Sequence, residues 1–419
     1  MLKNKFILII IVLSLNSITA IAQINTISPY SRFGLGDLHF NGFSKSTHMA
    51  GLSAPIDSEY HLNNLNPASY SQLNLTSFEM AFASTYHHSS NDSLSEENHT
   101  NFLQHIGIGF PISKKCGASF GLYPYSSVGY SLIESIDSEN RTENYIYEGN
   151  GGMNTFYLGT SYEILKGLTI GINANYHFGS LEELIAIEMD TSSEFNSRNI
   201  TSTTIGDFNY DFGLLYSINF KKNYNLTIGG TYSPKTNLNS HKNQLAYTYL
   251  SSNGYEYIKD TIINTSVTDY INYPYSYSLG MGFGKAEKWF AGLEYKSQNW
   301  EDFLLSGNTD SLVKNQRIGV GFYLKPSDNP LEKYSNLIEY RGGVFYDNSL
   351  LQLNNKQLKH FGISFGVGLP LRKQFSTLNF GVTLGQNGTT ENNLIRERYA
   401  NFNFGITIND KWFIKRKIK

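Results

Sequence analysis

The chain contains a single cysteine, Cys116, among its 419 residues. One cysteine cannot form an intramolecular disulfide, so a disulfide framework is excluded as the source of stability. Only 10 prolines are present, and no proline-rich linker or run of like charge divides the sequence. The sequence therefore predicts one large domain that is stabilised by its own packing and hydrogen bonding.

An excess of charge of one sign is also absent. The chain has 33 Lys and Arg residues against 35 Asp and Glu residues, a formal net charge of -2. A protein that binds nucleic acid neutralises phosphates with a surplus of basic side chains. The balanced charge therefore predicts that nucleic acid is not a partner.

The apolar stretch at residues 6–15 is much shorter than the roughly 20 residues that a membrane-spanning helix needs. It follows the basic residues Lys3 and Lys5, an arrangement that is typical of a secretory signal peptide. We therefore predict a signal peptide over residues 1–22. The mature chain would begin at Gln23, which is not a lipid-anchored cysteine.

Aromatic residues and glycine are abundant, with 30 Tyr, 27 Phe and 37 Gly. Aromatic rings favour pleated strands and the two interfaces of a membrane. From about residue 76, apolar residues alternate with small or polar residues at a period of two, which indicates β-strands. One clear example has on one face Phe361, Ile363, Phe365, Val367 and Leu369.

Alternation alone does not separate a soluble sandwich from a membrane barrel. The second face of these strands is rich in Gly, Asn, Ser and Thr, which suits a hydrated lumen. Long polar stretches such as residues 89–100, 137–143 and 190–199 alternate with short connections such as residues 164–167. We predict an all-β fold, an antiparallel transmembrane β-barrel of about 14 strands over residues 76–419. It would lie in the outer membrane of a Gram-negative bacterium, with both ends on the periplasmic side.

The period-two pattern is missing from residues 23–75, where Gly, Ser, Asn and Pro are frequent. This segment is too long for an idle tail and too short for a sturdy independent domain. We therefore predict that residues 23–75 form a plug inside the barrel lumen. The functional residues are expected in this plug.

A family resemblance is found in the same segment. The sequence AGLSA at residues 50–54, followed by Asn66-Pro67-Ala68 just before the first strand, resembles the N-terminal hatch of the long-chain fatty-acid transporter (FadL-like) family. The sequence LYPYSSVGY at residues 122–130 adds to this resemblance. The opening SPYSRFGLGD at residues 28–37 is similar to a subgroup of these barrels that includes type IX secretion shuttle barrels. The resemblance covers nearly the whole mature chain.

The resemblance implies passive transport of small hydrophobic compounds, such as fatty acids, across the outer membrane. A ligand would be captured at an outer loop, enter the lumen, and leave through the wall after a shift of the hatch. The implied partners are outer-membrane lipid and hydrophobic small molecules. The alternative is a non-enzymatic barrel subunit or shuttle of a secretion or outer-membrane assembly complex, with envelope proteins as partners. The outer loops are rich in Ser, Asn and Glu, which is a departure from an apolar capture site.

Two groups of residues in the plug are candidates for a role in the hatch. Pro67 fixes its own φ and restricts Asn66 to an extended conformation, so Asn66, Pro67 and Ala68 are expected to form a rigid turn. This turn serves either the structure alone or a moving hatch. The second group consists of Arg32, Gly34, Gly36 and Asp37.

Arg32 and Asp37 are candidates for an electrostatic latch. A buried pair would join the plug to wall residues such as Glu294 or Lys296. Hydration of the same charges in a wide lumen is the alternative.

Signals of catalysis and metal binding are sparse. His87 and His88 have no Cys, Asp or Glu at ligand spacing. His61 and His360 lack the context of a catalytic triad, and we expect no Gly-x-Ser-x-Gly elbow, phosphate loop or paired zinc motif. The sequence therefore predicts a protein that is not an enzyme and has no metal or cofactor.

Overall fold

A computed structural model describes residues 26–138, 141–190, 194–252, 255–285, 288–305, 312–329, 331–371 and 375–412. The predicted signal peptide lies outside the described residues. Within them, no helix is both long enough and apolar enough to span a membrane. The two α-helices are short, α1 (Ser44–Thr47) and α2 (Tyr334–Leu337).

Almost all of the regular structure is β-strand. In chain order the strands are β1 (Asp37–Leu38), β2 (Thr76–Ser90), β3 (Ser95–Ser113), β4 (Cys116–Ser138), β5 (Arg141–Leu165), β6 (Leu168–Met189), β7 (Asn196–Asn219), β8 (Tyr224–Ser233), β9 (Thr236–Ser252), β10 (Tyr255–Tyr273), β11 (Ser276–Lys285), β12 (Trp289–Gln298), β13 (Asn315–Leu324), β14 (Glu339–Leu353), β15 (Lys356–Pro370), β16 (Thr377–Gly388) and β17 (Arg396–Asp410). Short 3₁₀ turns are Pro29–Arg32, Pro67–Gln72, Lys221–Asn223 and Glu391–Asn393.

Strands β2 to β17 form one antiparallel sheet that closes when β17 pairs with β2. Two of the wall strands are each interrupted once. β8 and β9 are separated at Pro234, and β10 and β11 are separated at Pro274, because proline has no N–H for the ladder. Counting each interrupted strand once gives the closed barrel of 14 strands that the sequence predicts. The predicted fold class is confirmed.

The two faces of the wall have opposite polarity. In β17 the outward side chains of Phe402 and Phe404 are 55% and 45% exposed. The intervening Asn403 is only 4% exposed, and Thr407 on the same inner face is fully buried. Apolar side chains therefore face outward and polar ones inward, the reverse of a soluble protein and the arrangement of a membrane barrel.

The barrel has two rims, which we name by the position of its ends. The near rim contains Thr76 and Asp410, the first and last residues of the wall, and the far rim is opposite. Near-rim connections include the two-residue turns 114–115 and 166–167, as well as the long connection 325–338 that contains α2. Because the number of antiparallel wall strands is even, the wall begins and ends at the same rim.

The predicted far-rim loops are mostly wrong. Residues 89–100 contribute to β2 and β3, with only residues 91–94 between them, and β4 and β5 pair as far as Ser138 and Arg141. The stretch 190–199 likewise ends within β7. These polar residues are paired across strands beyond the apolar band, so their polarity reflects solvent and not a loop.

Residues 26–75, the N-terminal segment, lie within the barrel. Their side chains and backbone contact inward-facing residues on opposite sides of the wall, such as Glu79 on β2, Glu294 on β12 and Asn173 on β6. Many of the segment's residues are buried. The polar inner face of the wall is therefore satisfied largely by this segment.

Candidate functional site

Residues 44–73 of the N-terminal segment, here called the collar, run around the inside of the wall in direct contact with glycines. A Cβ atom on Gly229 would lie 1.8 Å from the carbonyl oxygen of Ala54, and one on Gly321 would lie 2.4 Å from that of Met49. Only glycine allows the two backbones to approach this closely. The glycines that a collar residue covers are Gly405, Gly381, Gly366, Gly343, Gly321, Gly319, Gly292, Gly280, Gly229, Gly213, Gly171, Gly159, Gly117 and Gly109.

Wall carboxylates anchor the collar by its backbone. Glu79 on β2 accepts a hydrogen bond from the N–H of Ser44, the first residue of α1, at 2.8 Å. Glu294 on β12 accepts from the N–H groups of Ser53 and Ala54 at 2.6 and 2.9 Å. Both carboxylates are almost fully buried, and charge-assisted bonds of this kind are among the strongest in proteins. The collar is therefore fixed to the wall at defined points.

Asn66, Pro67 and Ala68 form the turn that the sequence predicts. Asn66 is extended, with φ -123° and ψ 96°, and its Oδ1 accepts from the N–H of Ala68 at 3.1 Å. Its Nδ2 donates to the carbonyl oxygen of Ala54 at 2.7 Å and to that of Leu214 on β7 at 3.3 Å. Asn66 thus joins two parts of the collar and the wall. A transport role for the three residues stays a prediction.

The predicted latch has different partners. The guanidinium carbon of Arg32 lies 5.0 Å from the ring centroid of Tyr147, and Asp37 accepts a hydrogen bond from Thr26 at 3.2 Å. Glu294 is instead occupied by the collar, so the predicted pairing of Arg32 and Asp37 with Glu294 or Lys296 is wrong. The N-terminal part of the segment lies against β4 and β5, whereas Glu294 meets Ser53, further along the chain.

Gly34 and Gly36 have φ values of +64° and +94°, in the left-handed region that favours glycine. Gly36 also lies under the carbonyl of Ser127, where a Cβ would be 2.4 Å away. These two glycines therefore let the chain turn and approach β4. Their role is local geometry that brings the following residues, 37–43, to the wall.

The longest interruption in strand pairing among the described residues of the wall lies between β3 and β4. These strands pair only from the near-rim turn up to Ile106 and Leu122. Above that point β3 pairs with β2, and β4 pairs with β5, but the described residues of β3 and β4 no longer pair with each other. We call this interruption the seam.

β4 leaves the wall plane at the seam. A β-bulge lies between Pro124 and Ser126, where proline cannot donate to a ladder. Residues 123–130 are all buried, although a strand in the wall should alternate between buried and lipid-exposed positions. The upper part of β4 is therefore displaced into the lumen.

Residues 37–43, here called the bridge, close the seam from inside. β1 pairs with the open edge of β4, with Leu38 opposite Ser126. His39 extends this contact through its N–H, which donates to the carbonyl oxygen of Tyr125 at 3.0 Å. The bridge then reaches β3, where Phe43 stacks on His105 at 4.1 Å between ring centroids. Movement of the bridge alone would expose the seam.

A cavity of about 430 Å³ lies between the N-terminal segment and the wall. Its lining reaches the seam through Phe102 on β3 and Tyr125 on β4. The lining combines aromatic rings with polar and charged groups, among them Tyr273, His177, Lys296, Arg317 and His360. Arg317 is paired with Asp347 at 3.0 Å, which in turn contacts His360 at 3.0 Å. The cavity can therefore hold a small molecule that has both apolar and polar parts.

His48, in the collar, is buried in its neutral form. Its Nε2 lies 3.0 Å from Oδ1 of Asn403, and its Nδ1 lies 3.4 Å from a guanidinium nitrogen of Arg341. Nε2 therefore carries the proton and Nδ1 accepts. Burial, followed by the nearby Arg341 charge, lowers the pKa of His48 to about 3.

Sequence reasoning missed the serine of a Gly-x-Ser-x-Gly pattern at residues 362–366. The pattern marks a nucleophile elbow only when it lies on a strand-to-helix turn. Here it lies inside β15, and the buried hydroxyl of Ser364 donates to the carbonyl oxygen of His48 and accepts from the N–H of Ala50. Ser364 therefore anchors the collar. In the sequence, the wall residues that contact the collar are marked by a glycine or a small polar residue near the middle of successive strands.

Three solved structures have the same fold. The toluene transporter TodX of Pseudomonas putida is 15% identical, with a TM-score of 0.59, and the match covers 90% of this chain and 100% of that chain. The toluene transporter TbuX of Ralstonia pickettii is 12% identical with a TM-score of 0.60, covering 88% and 99%. A FadL homologue of Pseudomonas aeruginosa is 10% identical with a TM-score of 0.57, covering 90% and 100%. Identities this low show the fold alone.

No curated protein matches the sequence. The family model described as BamG matches residues 1–419, the full length of the chain. The fold and its lipid-facing apolar band place the protein in the outer membrane. This outer-membrane barrel, with its N-terminal segment packed in the lumen, belongs to the BamG family.

Proposed function

We propose that the barrel passively transports small hydrophobic or amphipathic compounds across the outer membrane, and that the bridge is its gate. The seam between β3 and β4 is the observation that supports this most directly. A closed ladder leaves no lateral path through a barrel wall, whereas an unpaired stretch requires only that its cover moves. The hydrocarbon and toluene transporters with the same fold are consistent with this proposal.

The proposed path starts at the far rim and passes through the lumenal cavity to the seam. The cavity and the seam share Phe102 and Tyr125, so a ligand in the cavity already contacts the seam. The collar is held by buried carboxylates and glycine contacts, so it stays in place as the bridge moves. We therefore divide the predicted plug, residues 23–75, into a moving bridge and a fixed collar.

The far rim is proposed to face the cell exterior, and the near rim the periplasm. This assignment places both barrel ends in the periplasm, as the even number of strands and a secreted chain require. Most connections are short at both rims, so the assignment rests on strand parity and not on turn length. No enzymatic step belongs to the proposal, since Ser364 has a structural role.

A disulfide between the bridge and β4 tests the gate. Leu38 and Ser126 are directly opposite, a geometry with Cα atoms about 4.5–5.5 Å apart that a disulfide can bridge. We expect the L38C/S126C variant, made in a C116S background, to lose most uptake of radiolabelled toluene and oleate in cells that lack the native protein. Reduction with dithiothreitol should restore uptake, because it releases the bridge.

The matched control is L384C/A400C in the same background, which joins β16 and β17 at positions already paired. This disulfide should leave uptake unchanged. If the locked bridge also leaves uptake unchanged, the bridge is not the gate. Equal uptake in cells with and without the protein would refute transport itself.

The second candidate function is that of a subunit or shuttle in a secretion or outer-membrane assembly complex. The asymmetry of the far rim favours it, because β4, β5, β6, β7, β9 and β10 are much longer than the ten-residue strands β12 and β13. Transport of small molecules does not by itself require a β-sheet that extends beyond the far rim on one side of the barrel. A kinship with type IX secretion shuttle barrels stays a prediction.

A further inference from the structure

Two side chains of opposite charge line the lumenal cavity without an ion-pair partner among the described residues, Lys296 on β12 and Asp211 on β7. No described carboxylate lies within ion-pair distance of the Lys296 ammonium, and no described acceptor bonds to it. Glu294, two residues along the same face of β12, accepts hydrogen bonds from Ser53 and Ala54 of the collar through both of its carboxylate oxygens. Lys296 therefore presents an ammonium group to the cavity without a direct partner.

Asp211 is hydrogen-bonded to a neutral side chain. Its Oδ2 accepts a hydrogen bond from Nδ2 of Asn175 at 2.6 Å, and the described part of the chain places no cation within ion-pair distance of it. Arg317 and Asp347, in the same cavity, differ because they pair with each other at 3.0 Å. Removing a charge from bulk water without a counter-charge costs free energy, so Asp211 and Lys296 each favour a ligand group of the opposite sign.

The wall between these two charges carries small hydroxyl side chains. Lys296 lies opposite Ser278 on β11, which in turn lies opposite Thr231 on β8, and the two hydroxyls are 2.7 Å apart. Thr231 lies opposite Gly213 on β7, and Asp211 is two residues from Gly213 on the same inward face. Neighbouring strands are about 4.8 Å apart, so the three strand spacings separate the two charged residues by about 15 Å along the wall. The lysine stem spans part of that distance, which leaves room for a head group whose two charges are a few atoms apart.

Aromatic rings line the cavity next to Asp211. Tyr125 packs on Tyr273 with 5.7 Å between ring centroids, and His177 lies 5.3 Å from Tyr125. His177 is two residues along the inward face of β6 from Asn175, the hydrogen-bond partner of Asp211. The faces of tyrosine rings attract an ammonium group, so this part of the cavity suits a cation for a second reason. Tyr125 also belongs to the seam, so a ligand held here is already close to the proposed exit.

A ligand with one charge, or with none, fits this arrangement poorly. An anion would pair with Lys296 and leave Asp211 without a counter-charge, whereas a simple amine would do the reverse. A hydrocarbon would leave both charges unpaired. Each case keeps a charge away from bulk water without compensation, which costs affinity. A zwitterion, which carries an ammonium and an anionic group in one molecule, satisfies both side chains.

We propose that the cavity binds a zwitterionic head group, with its ammonium at Asp211 and its phosphate or carboxylate at Lys296. The hydroxyls of Thr231 and Ser278 contact the atoms between the two charges. A chain attached to the head group extends past Tyr125 to the seam. The inference rests on the proposed function for the entry and exit of this ligand, and it names the ligand's chemical class. Binding is measured on the purified barrel, so it is tested separately from transport.

Native mass spectrometry of the purified barrel in a nonionic detergent measures the binding of three probes that share an oleoyl or oleyl chain. Lysophosphatidylethanolamine carries both charges, lysophosphatidylglycerol carries the same phosphate without the ammonium, and oleylamine carries the ammonium alone. We expect one lysophosphatidylethanolamine per barrel, bound about tenfold or more tightly than either probe of single charge. Free phosphoethanolamine distinguishes the source of the head group. Its binding at the same site would support a soluble zwitterion as the ligand, and its failure to bind beside a bound lysolipid would support a lipid.

Two variants each remove one charge with little change in shape. D211N should weaken lysophosphatidylethanolamine binding by about tenfold or more and leave lysophosphatidylglycerol binding unchanged or tighter, because the anionic probe has no ammonium. K296M should weaken the binding of both phosphate-containing probes but not that of oleylamine. A misfolded variant would lose all three probes, so a selective loss reports on the charge that was removed.

The matched controls are D92N and K115Q, which remove the same charges from exposed turns. Both should bind the three probes as the native barrel does. Equal affinity of the native barrel for the three probes, absence of binding, or lysophosphatidylethanolamine binding that survives both D211N and K296M would each overturn the proposal. Charge-dependent binding without any uptake in cells would support this site and refute transport alone.

Discussion

At the scale of single residues, the contact between Gly229 and Ala54 shows how the collar depends on glycine. The neighbouring Gly230 faces the other side of the wall, where a Cβ would meet the end of the Leu279 side chain at 3.2 Å and the carbonyl oxygen of Ser278 at an ordinary contact distance of 3.4 Å. Gly229 instead faces a backbone carbonyl that cannot yield without moving the collar. The two adjacent positions therefore form a natural matched pair.

We expect G229A to destabilise the folded barrel by about 1–3 kcal/mol, the usual cost of an overpacked contact. G230A should change stability by less than about 0.5 kcal/mol, since a flexible side chain can move aside. Urea unfolding in detergent micelles, followed by tryptophan fluorescence, measures both. Equal midpoints for the two variants would show that the collar does not press against the wall at Gly229.

His48 predicts a dependence of stability on pH. Its pKa is about 3 when folded and near 6.5 when unfolded, so the unfolded chain binds the extra proton as pH falls through 6.5. Stability is therefore complete above pH 6.5 and decreases by up to about 1.4 kcal/mol per pH unit below it, until pH 3. We expect H48Q to be less stable at pH 7.5 but to lose less stability between pH 7.5 and 5.5.

The control for this comparison is H88Q, because His88 lies near the far rim and is partly exposed. It should keep the pH dependence of the native protein. Unfolding free energies of the three proteins at both pH values provide the readout. An H48Q variant with the native pH dependence would mean that His48 titrates alike in the folded and unfolded chains, so that burial does not lower its pKa.

At the scale of elements, β3 is a strand with two different halves. Residues 106–113 pair with β4 on one side, whereas residues 95–105 pair only with β2. In the upper half, the amides that point toward β4 have no ladder partner. The seam thus predicts a boundary within one strand, at Ile106.

We expect every second amide in residues 95–105 to exchange its hydrogen much faster than the amides of residues 106–113. The reason is that the amides which point toward β4 have no hydrogen-bond partner and therefore lack protection. Residue-resolved exchange by NMR in nanodiscs measures this directly. In β5, which pairs with β4 on one side and β6 on the other along its length, protection should be more uniform. Uniform slow exchange throughout β3 would show that the seam is closed by strand pairing.

The sequence reveals some of these elements better than others. The alternation at Phe402 and Phe404 reflects a local pattern, so it predicts the strand and its lipid-facing side. The seam depends on whether β4 pairs with β3, a non-local choice that leaves only Pro124 as a sequence clue. The polar residues 89–100 suggested a loop because hydrophilicity does not distinguish a loop from a strand above the membrane.

The collar illustrates the same limit. Glu294 was recognised as a wall anchor, but its partner could not be read from charge, since the partner is the backbone of Ser53 and Ala54. Every residue type except proline supplies a backbone N–H, so no side-chain pattern records this contact. Asn66 and Pro67 were predictable because the constraints of proline act within two residues.

At the scale of the whole molecule, strand parity predicts its orientation in the membrane. Cys116 lies at the near-rim turn between β3 and β4, and Asp92 lies in the exposed far-rim turn between β2 and β3. Two ends of one strand, β3, therefore report on opposite sides of the outer membrane. The native cysteine supplies one reporter without mutation.

We expect a membrane-impermeant maleimide to label D92C, in a C116S background, on intact cells. The native chain should be labelled at Cys116 only after the outer membrane is permeabilised, because the near rim faces the periplasm. C116S without a second cysteine is the blank. Labelling of Cys116 on intact cells, with D92C protected, would reverse the orientation and place the far rim in the periplasm.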